Sequence, residues 1–338
     1  FAMFGVDVAT VVTSAPTADT PPLWLAQTLG TKYVFFEQRA PAGAEENEVT
    51  LQFDGERKGL ASWLAEAGSG GAAEYLSVDA LVAGYASVRQ PSQLLQEFLG
   101  LMKQFGGNAA TGLPELEQRL GAGFAASVAS ALGSEAAFAI NGLSLTGPRW
   151  LLTTMVYNQA FLDDAVRRVV ETANQEMATA GESPRLTITQ EHVGGRTWTT
   201  VSGAGLPVDL TWTYDGGYIV MASDRGTAEH AIATRNGGAA LVWSQAFRDR
   251  LPASSGLHPS AFVWVNTRGA LSTLATMTSN PVTAALLAER DPVLVVFDVK
   301  PDQIHGASRT RLTTAILDIM TFTGSTDDAE LVTASPAS

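Results

Sequence analysis

The chain has 338 residues, 46% hydrophobic and 16% charged, which suffices for a real core in two ordinary domains or one large one. A formal charge of −13 repels phosphate backbones and anionic lipid heads, and so argues against nucleic acid as a partner. Cysteine is absent, which excludes disulfides, thiolate nucleophiles and cysteine metal sites.

The opening stretch to Val12 is apolar except for Asp7, and residues 13–22 are rich in Pro, Thr and Ala. Two readings stand: the remnant of a membrane anchor or export signal followed by a tether (1–22), or an amino terminus packed on its own domain. Residues 33–39 and 48–53 have strand character, and a helix is expected from Asp54 to about Ala67. Gly68-Ser69-Gly70-Gly71 reads as a flexible connector. A strand at 80–88 leads to Pro91, suited to a first helical turn, and Leu94, Leu95, Phe98, Leu99, Met102 and Phe105 follow at helical spacing.

A helix is expected over 114–132, where Gly121 and Gly123 mark a kink or close packing. Residues 135–141 and 149–157 read as a hairpin. The stretch 160–180 is an amphipathic helix, with Phe161, Val166, Val169, Val170, Ala173 and Met177 inward. Asp163 and Asp164 are expected outward, in its first turn. Two more hairpins are signalled by Val193-Gly194-Gly195 and Asp215-Gly216-Gly217. Asp224 fits an N-cap for a helix to about Thr234, 261–267 reads as a strand, and 293–299 with 304–312 as a closing hairpin. A last helix is expected at 313–322.

Strands adjoin hairpin turns more often than crossover helices, so the expected class is α+β with antiparallel sheets. The order of two strands, helix, strand, helix and hairpin occurs over 33–157 and again over 206–312. The expected architecture is therefore two pseudo-repeated antiparallel units, 23–158 and 159–322, each with helices packed on one face, and a mobile tail at 323–338.

Catalytic motifs fail one by one. Gly142-Leu143-Ser144-Leu145-Thr146 lacks the last glycine of a nucleophile elbow and joins two strands. None of Lys32, Lys58, Lys103 and Lys300 follows a serine by three residues, so penicillin-binding chemistry has no lysine. Gly121-Ala122-Gly123 follows a helical stretch rather than a strand, which rejects a dinucleotide fingerprint. Asp327, Asp328 and Glu330 lack calcium-loop spacing. His192, His230, His258 and His305 show no metal-ligand spacing; the first two read as surface residues and His258 as a loop-fixing one. No metal, cofactor or catalytic residue is expected.

Trp198, Trp212, Tyr214 and Trp264 fall on expected strands, and period two places Trp212 and Tyr214 on one face. They line either a filled core or a hollow that binds an apolar ligand.

Three stretches stand out: Tyr75-Leu76-Ser77-Val78-Asp79-Ala80-Leu81-Val82-Ala83-Gly84-Tyr85, Leu132-Gly133-Ser134-Glu135-Ala136-Ala137-Phe138-Ala139-Ile140, and Tyr214-Asp215-Gly216-Gly217-Tyr218-Ile219-Val220-Met221-Ala222-Ser223. Through them residues 73–268 resemble an uncharacterised bacterial family of exported, membrane-anchored proteins. The resemblance implies an extracytoplasmic location behind an amino-terminal anchor, and brings no activity or site residues. The first expectation is a non-catalytic accessory or structural subunit bound to a membrane protein or other subunits of an assembly. The second is a carrier of lipid or another apolar molecule. The third is a hydrolase assembled only in three dimensions, which needs a histidine within about 3 Å of a serine or carboxylate in a cleft.

Overall fold

A computed structural model describes residues 2–7, 30–40, 45–92, 94, 117–144, 147–179, 181, 186–203, 209–256, 258–266 and 291–309. Its strands are β1 (Ala2–Asp7), β2 (Thr31–Arg39), β3 (Glu46–Phe53), β4 (Val82–Ser87), β5 (Leu132–Ser144), β6 (Gly147–Val156) and β7 (Thr187–Val193). They continue with β8 (Arg196–Ser202), β9 (Leu210–Asp215), β10 (Tyr218–Ala222), β11 (Ala261–Val265), β12 (Val293–Lys300) and β13 (Gln303–Ser308). The α-helices are α1 (Phe124–Ser130), α2 (Gln159–Thr179), α3 (Arg225–Asn236) and α4 (Gln245–Arg250).

All the described strands join one sheet in the order β1-β2-β3-β13-β12-β11-β4-β5-β6-β10-β9-β8-β7. Every neighbouring pair is antiparallel. The hairpins follow from local chemistry. Gly194 and Gly195 (φ 61° and 78°) and Gly216 and Gly217 (φ 54° and 87°) supply the consecutive positive φ angles that a tight turn between twisted strands requires. The pairings β3–β13, β4–β11 and β6–β10 join distant parts of the chain, so 23–158 and 159–322 share one continuous sheet.

The helices lie on both faces, which corrects the expectation of one. Alternate residues of β10 point to opposite sides. Val220 and Ala222 pack with Ala228, Ala231 and Ile232 of α3, whereas Ile219 packs with Leu162 and Val170 of α2. The first set belongs to the main core, which also takes Phe262, Trp264, Leu294 and Phe247. Asp224 caps α3 as expected, its side chain accepting from Thr227 N at 2.9 Å.

Three local expectations are corrected. No α-helix forms over 54–67; a short 3-10 turn stands at Gly59–Ser62. Arg57 is buried there, its Nε donating to Lys300 O at 2.7 Å and its Nη1 to Leu64 O at 2.9 Å and to Ala61 O. A guanidinium out of water needs several acceptors, and loop carbonyls provide them where helical ones would be consumed. The helix expected over 114–132 is broken at Gly121 and Gly123 (φ 105° and 76°) before α1 begins. α2 starts at Gln159 behind Asn158, whose Oδ1 accepts from Phe161 N at 3.0 Å, so Asp163 lies beyond the first turn. Asp163 also turns to the sheet, accepting from Tyr214 Oη at 2.8 Å. Among the stretches read from sequence, the helical stripe at 95–105, the helix at 313–322 and the tail at 323–338 lie outside the described residues, as do residues 8–22.

Candidate functional site: an apolar sheet face

Antiparallel register places residues in rows that cross the strands. One row runs Val295, Val263, Gly84, Phe138, Leu152, Met221 and Trp212 from β12 to β9. Its end at Met221 and Trp212 is packed with α2. Its middle is open: Val263 is 43% exposed, Phe138 40% and Leu152 36%. The rows on either side are Val293–Val265–Val82–Ile140–Trp150 and Phe297–Ala261–Ala86–Ala136–Thr154.

Across these five strands the three rows contain no charged residue, and Thr154 alone is polar. That block measures about 20 Å across and about 14 Å along the strands. A scatter of single exposed apolar side chains needs no explanation, but a contiguous charge-free block does. Gly84 sits in its centre as a notch. Among the described residues, a Cβ there would have only the Phe262 carbonyl oxygen within 4 Å, at 3.6 Å.

The aromatic residues singled out from sequence do not converge. Trp212 is buried on the α2 face and Tyr214 is half-buried beside it. Trp198 and Trp264 belong to the core on the opposite face. Thr199 pairs with Trp212, so its neighbour Trp198 points the other way. Trp212 lines a groove of about 290 Å³ beside α2, with Gln190 and Thr199. Trp198 lines one of about 300 Å³ beside α3, where the Arg225 guanidinium lies 5.5 Å from its ring centre. Trp264 packs with Phe247, ring centres 6.2 Å apart.

The buried charges of Glu135, Glu46 and Arg57 are spent on structure. Glu135 is the only charged residue of β5 and is 1% exposed. Its Oε1 accepts from Ser69 Oγ at 2.7 Å and Gly70 N at 3.0 Å, its Oε2 from Tyr218 Oη at 3.0 Å and Ala72 N at 3.2 Å. Burial works to raise the carboxyl pKa, yet the four donors outweigh it and hold Glu135 below the usual glutamate value. Burial and the adjacent carboxylate push the Tyr218 phenol up to about 12.

The Gly68-Ser69-Gly70-Gly71 stretch read as a flexible connector is thus a fixed cradle. Sequence reasoning missed Glu135, although a lone carboxylate in an apolar strand signals a buried, satisfied charge. A second buried carboxylate, Glu46, accepts from Ala253 N at 2.7 Å and Arg309 Nε at 3.0 Å. It ties β3 to the loop before β11 and to the end of β13.

The described histidines are spread apart. His192 and His230 are exposed, and His258 meets the edge of Trp243 with ring centres 6.3 Å apart. His305 Nε2 lies 3.2 Å from Glu48 Oε2 on neighbouring strands of the sheet. A polar cleft of about 470 Å³ at the start of α3 is lined by Ser77, Asn141, Arg149 and His230 among others. Among the described residues no group of His, Asp and Glu is placed to hold a metal ion, and no helix is long and apolar enough to cross a membrane.

No protein-family model matches the chain, and no curated protein matches it. Among solved structures, crystal form III of TP0453 aligns with 73% of this chain and 97% of its own, at 9% identity and a TM-score of 0.30. A likeness of that size carries no argument about this chain.

Proposed function

We propose that this chain is a non-catalytic, extracytoplasmic accessory or structural subunit that meets a membrane protein or other subunits of an assembly through its apolar sheet face. The observation that carries the reading is the open, charge-free middle of the row from Val263 to Leu152. Its polar interior fits the same reading, because Glu135, Glu46 and Arg57 hold loops to strands. The extracytoplasmic placement rests on the resemblance over 73–268, and the cysteine-free composition agrees with it.

The same reading extends to duplication. About the central β4–β11 pair the order reads β4-β5-β6-β10-β9 outward on one side and β11-β12-β13-β3-β2 on the other. Each side is a strand, a closing hairpin and the opening hairpin of the other unit, which supports two copies of one unit that exchange their first hairpins. The apolar block then lies across their junction.

Native mass spectrometry of the protein released gently from its host membrane tests the function. Co-migration with other polypeptides at a fixed ratio is expected. A lone chain would overturn the reading; added mass of lipid size would point instead to an apolar-ligand carrier. That second reading is favoured by the groove of about 290 Å³ beside α2, whose lining includes Trp212, Val166 and Ile188.

A further inference from the structure

We infer that the open part of the sheet face receives an amphipathic α-helix of the partner polypeptide, laid beside α2, with one large apolar side chain seated over Gly84. The inference rests on the subunit reading above and names the chemistry of the contact. Its warrant is continuity with an interface already formed on this face. α2 covers the row at Met221 and Trp212 with Leu162, Val166 and Val170, spaced four residues apart, and the row runs on uncovered into Leu152, Phe138 and Val263. A helix is about 10 Å wide with its side chains, so the open strip beside α2 accommodates one or two of them.

Magnitudes decide against other occupants. The block projects roughly 300 Å², well below the roughly 800 Å² per partner of a whole-protein interface, so it suits a single helix of a partner that makes further contacts elsewhere rather than a second folded face. Two copies of a −13 chain also repel one another, and the same field opposes anionic bilayers. A helix flanked by lysine or arginine gains from that field while its apolar stripe fills the charge-free block. The Gly84 notch gives the seat, since among the described residues nothing but the Phe262 carbonyl oxygen approaches a Cβ position there.

Because these 338 residues contain no cysteine, Val263→Cys gives this chain one thiol for a polarity-sensitive fluorophore. The probe is a synthetic peptide of about 16 residues, about 24 Å as a helix, with a leucine stripe and lysine flanks. A saturable blue shift is expected, absent for a scrambled peptide, and weakened at least tenfold by Gly84→Leu and by Phe138→Glu with no loss of thermal stability. A label already dry in the protein alone at every concentration means the chain covers its own face and overturns the inference. Dryness that rises with protein concentration means a second copy, and a response to phosphatidylcholine vesicles without one to the peptide means lipid; each overturns it too. A peptide response unaffected by both variants does the same. If the peptide fails while Phe138→Glu releases the native companion, the helix falls and the subunit reading stands. If the companion stays with Phe138→Glu, the contact face itself is wrong.

Discussion

Tyr218 on β10 donates to Glu135 on β5 across 3.0 Å although β6 lies between those strands. Both side chains rise on the α3 face, where Tyr218 stands opposite Met155 of β6. The bond therefore clamps the sheet across a strand and fixes the Ser69–Ala72 cradle at the same time.

Removing the carboxylate orphans four donors at once. Glu135→Ala is expected to cost about 3 kcal/mol and Tyr218→Phe about 1 kcal/mol, read as shifts of the urea midpoint. The folded Glu135 pKa lies below the unfolded glutamate value of about 4.3, so its contribution is complete above that pH and is lost as pH falls through the folded value. Stability should decline below about pH 4, with a shallower decline in Glu135→Gln.

Gly71 and Tyr218 are coupled by space. A Cβ on Gly71 would stand 2.2 Å from the Tyr218 hydroxyl oxygen and 3.0 Å from the ring carbon that bears it. Gly71→Ala should destabilise by about 2 kcal/mol in the native background and by less in Tyr218→Phe. A double-mutant cycle that closes additively would remove the clamp from the account.

Arg57→Met leaves Ala61, Leu64 and Lys300 carbonyls without their donor. A loss of about 2 to 3 kcal/mol is expected, with faster amide exchange concentrated in residues 54–66.

Asp224→Ala removes the α3 cap, which bonds both Thr227 N and Thr227 Oγ1. About 1 kcal/mol should be lost, and Asp224→Asn should recover most of it.

On the open face the expectation reverses. Val263→Lys should change stability by no more than about 0.5 kcal/mol and reduce binding of a hydrophobic dye. A loss of several kcal/mol would mean that this side chain is buried in solution.

The sequence made local structure legible and left partner choice hidden. Alternation and paired glycines gave β7–β8 and β9–β10, and a 3.6-residue stripe gave α2. Asp224 announced α3, and period two put Trp212 and Tyr214 on one face. The face of Trp198 was hidden because it depends on the Thr199–Trp212 register. The pairings β3–β13 and β4–β11 were hidden because any apolar strand can pair with any other. The segment after Asp54 misled because a buried arginine, not local propensity, decides its path. The open face was written in the alternate residues of β4, β5, β6 and β11, but alternation alone does not say which face stays uncovered.

The central pair β4–β11 also sets a timetable for synthesis. Gly84 pairs with Val263, about 180 residues later in the chain. At about 5 to 20 residues per second, β4 waits on the order of 10 to 40 s for its neighbour. During that interval one edge of an apolar strand at the middle of the final sheet has no native partner. Such a chain profits from a holding chaperone while it emerges, and its yield should respond to translation speed more than to small changes in final stability.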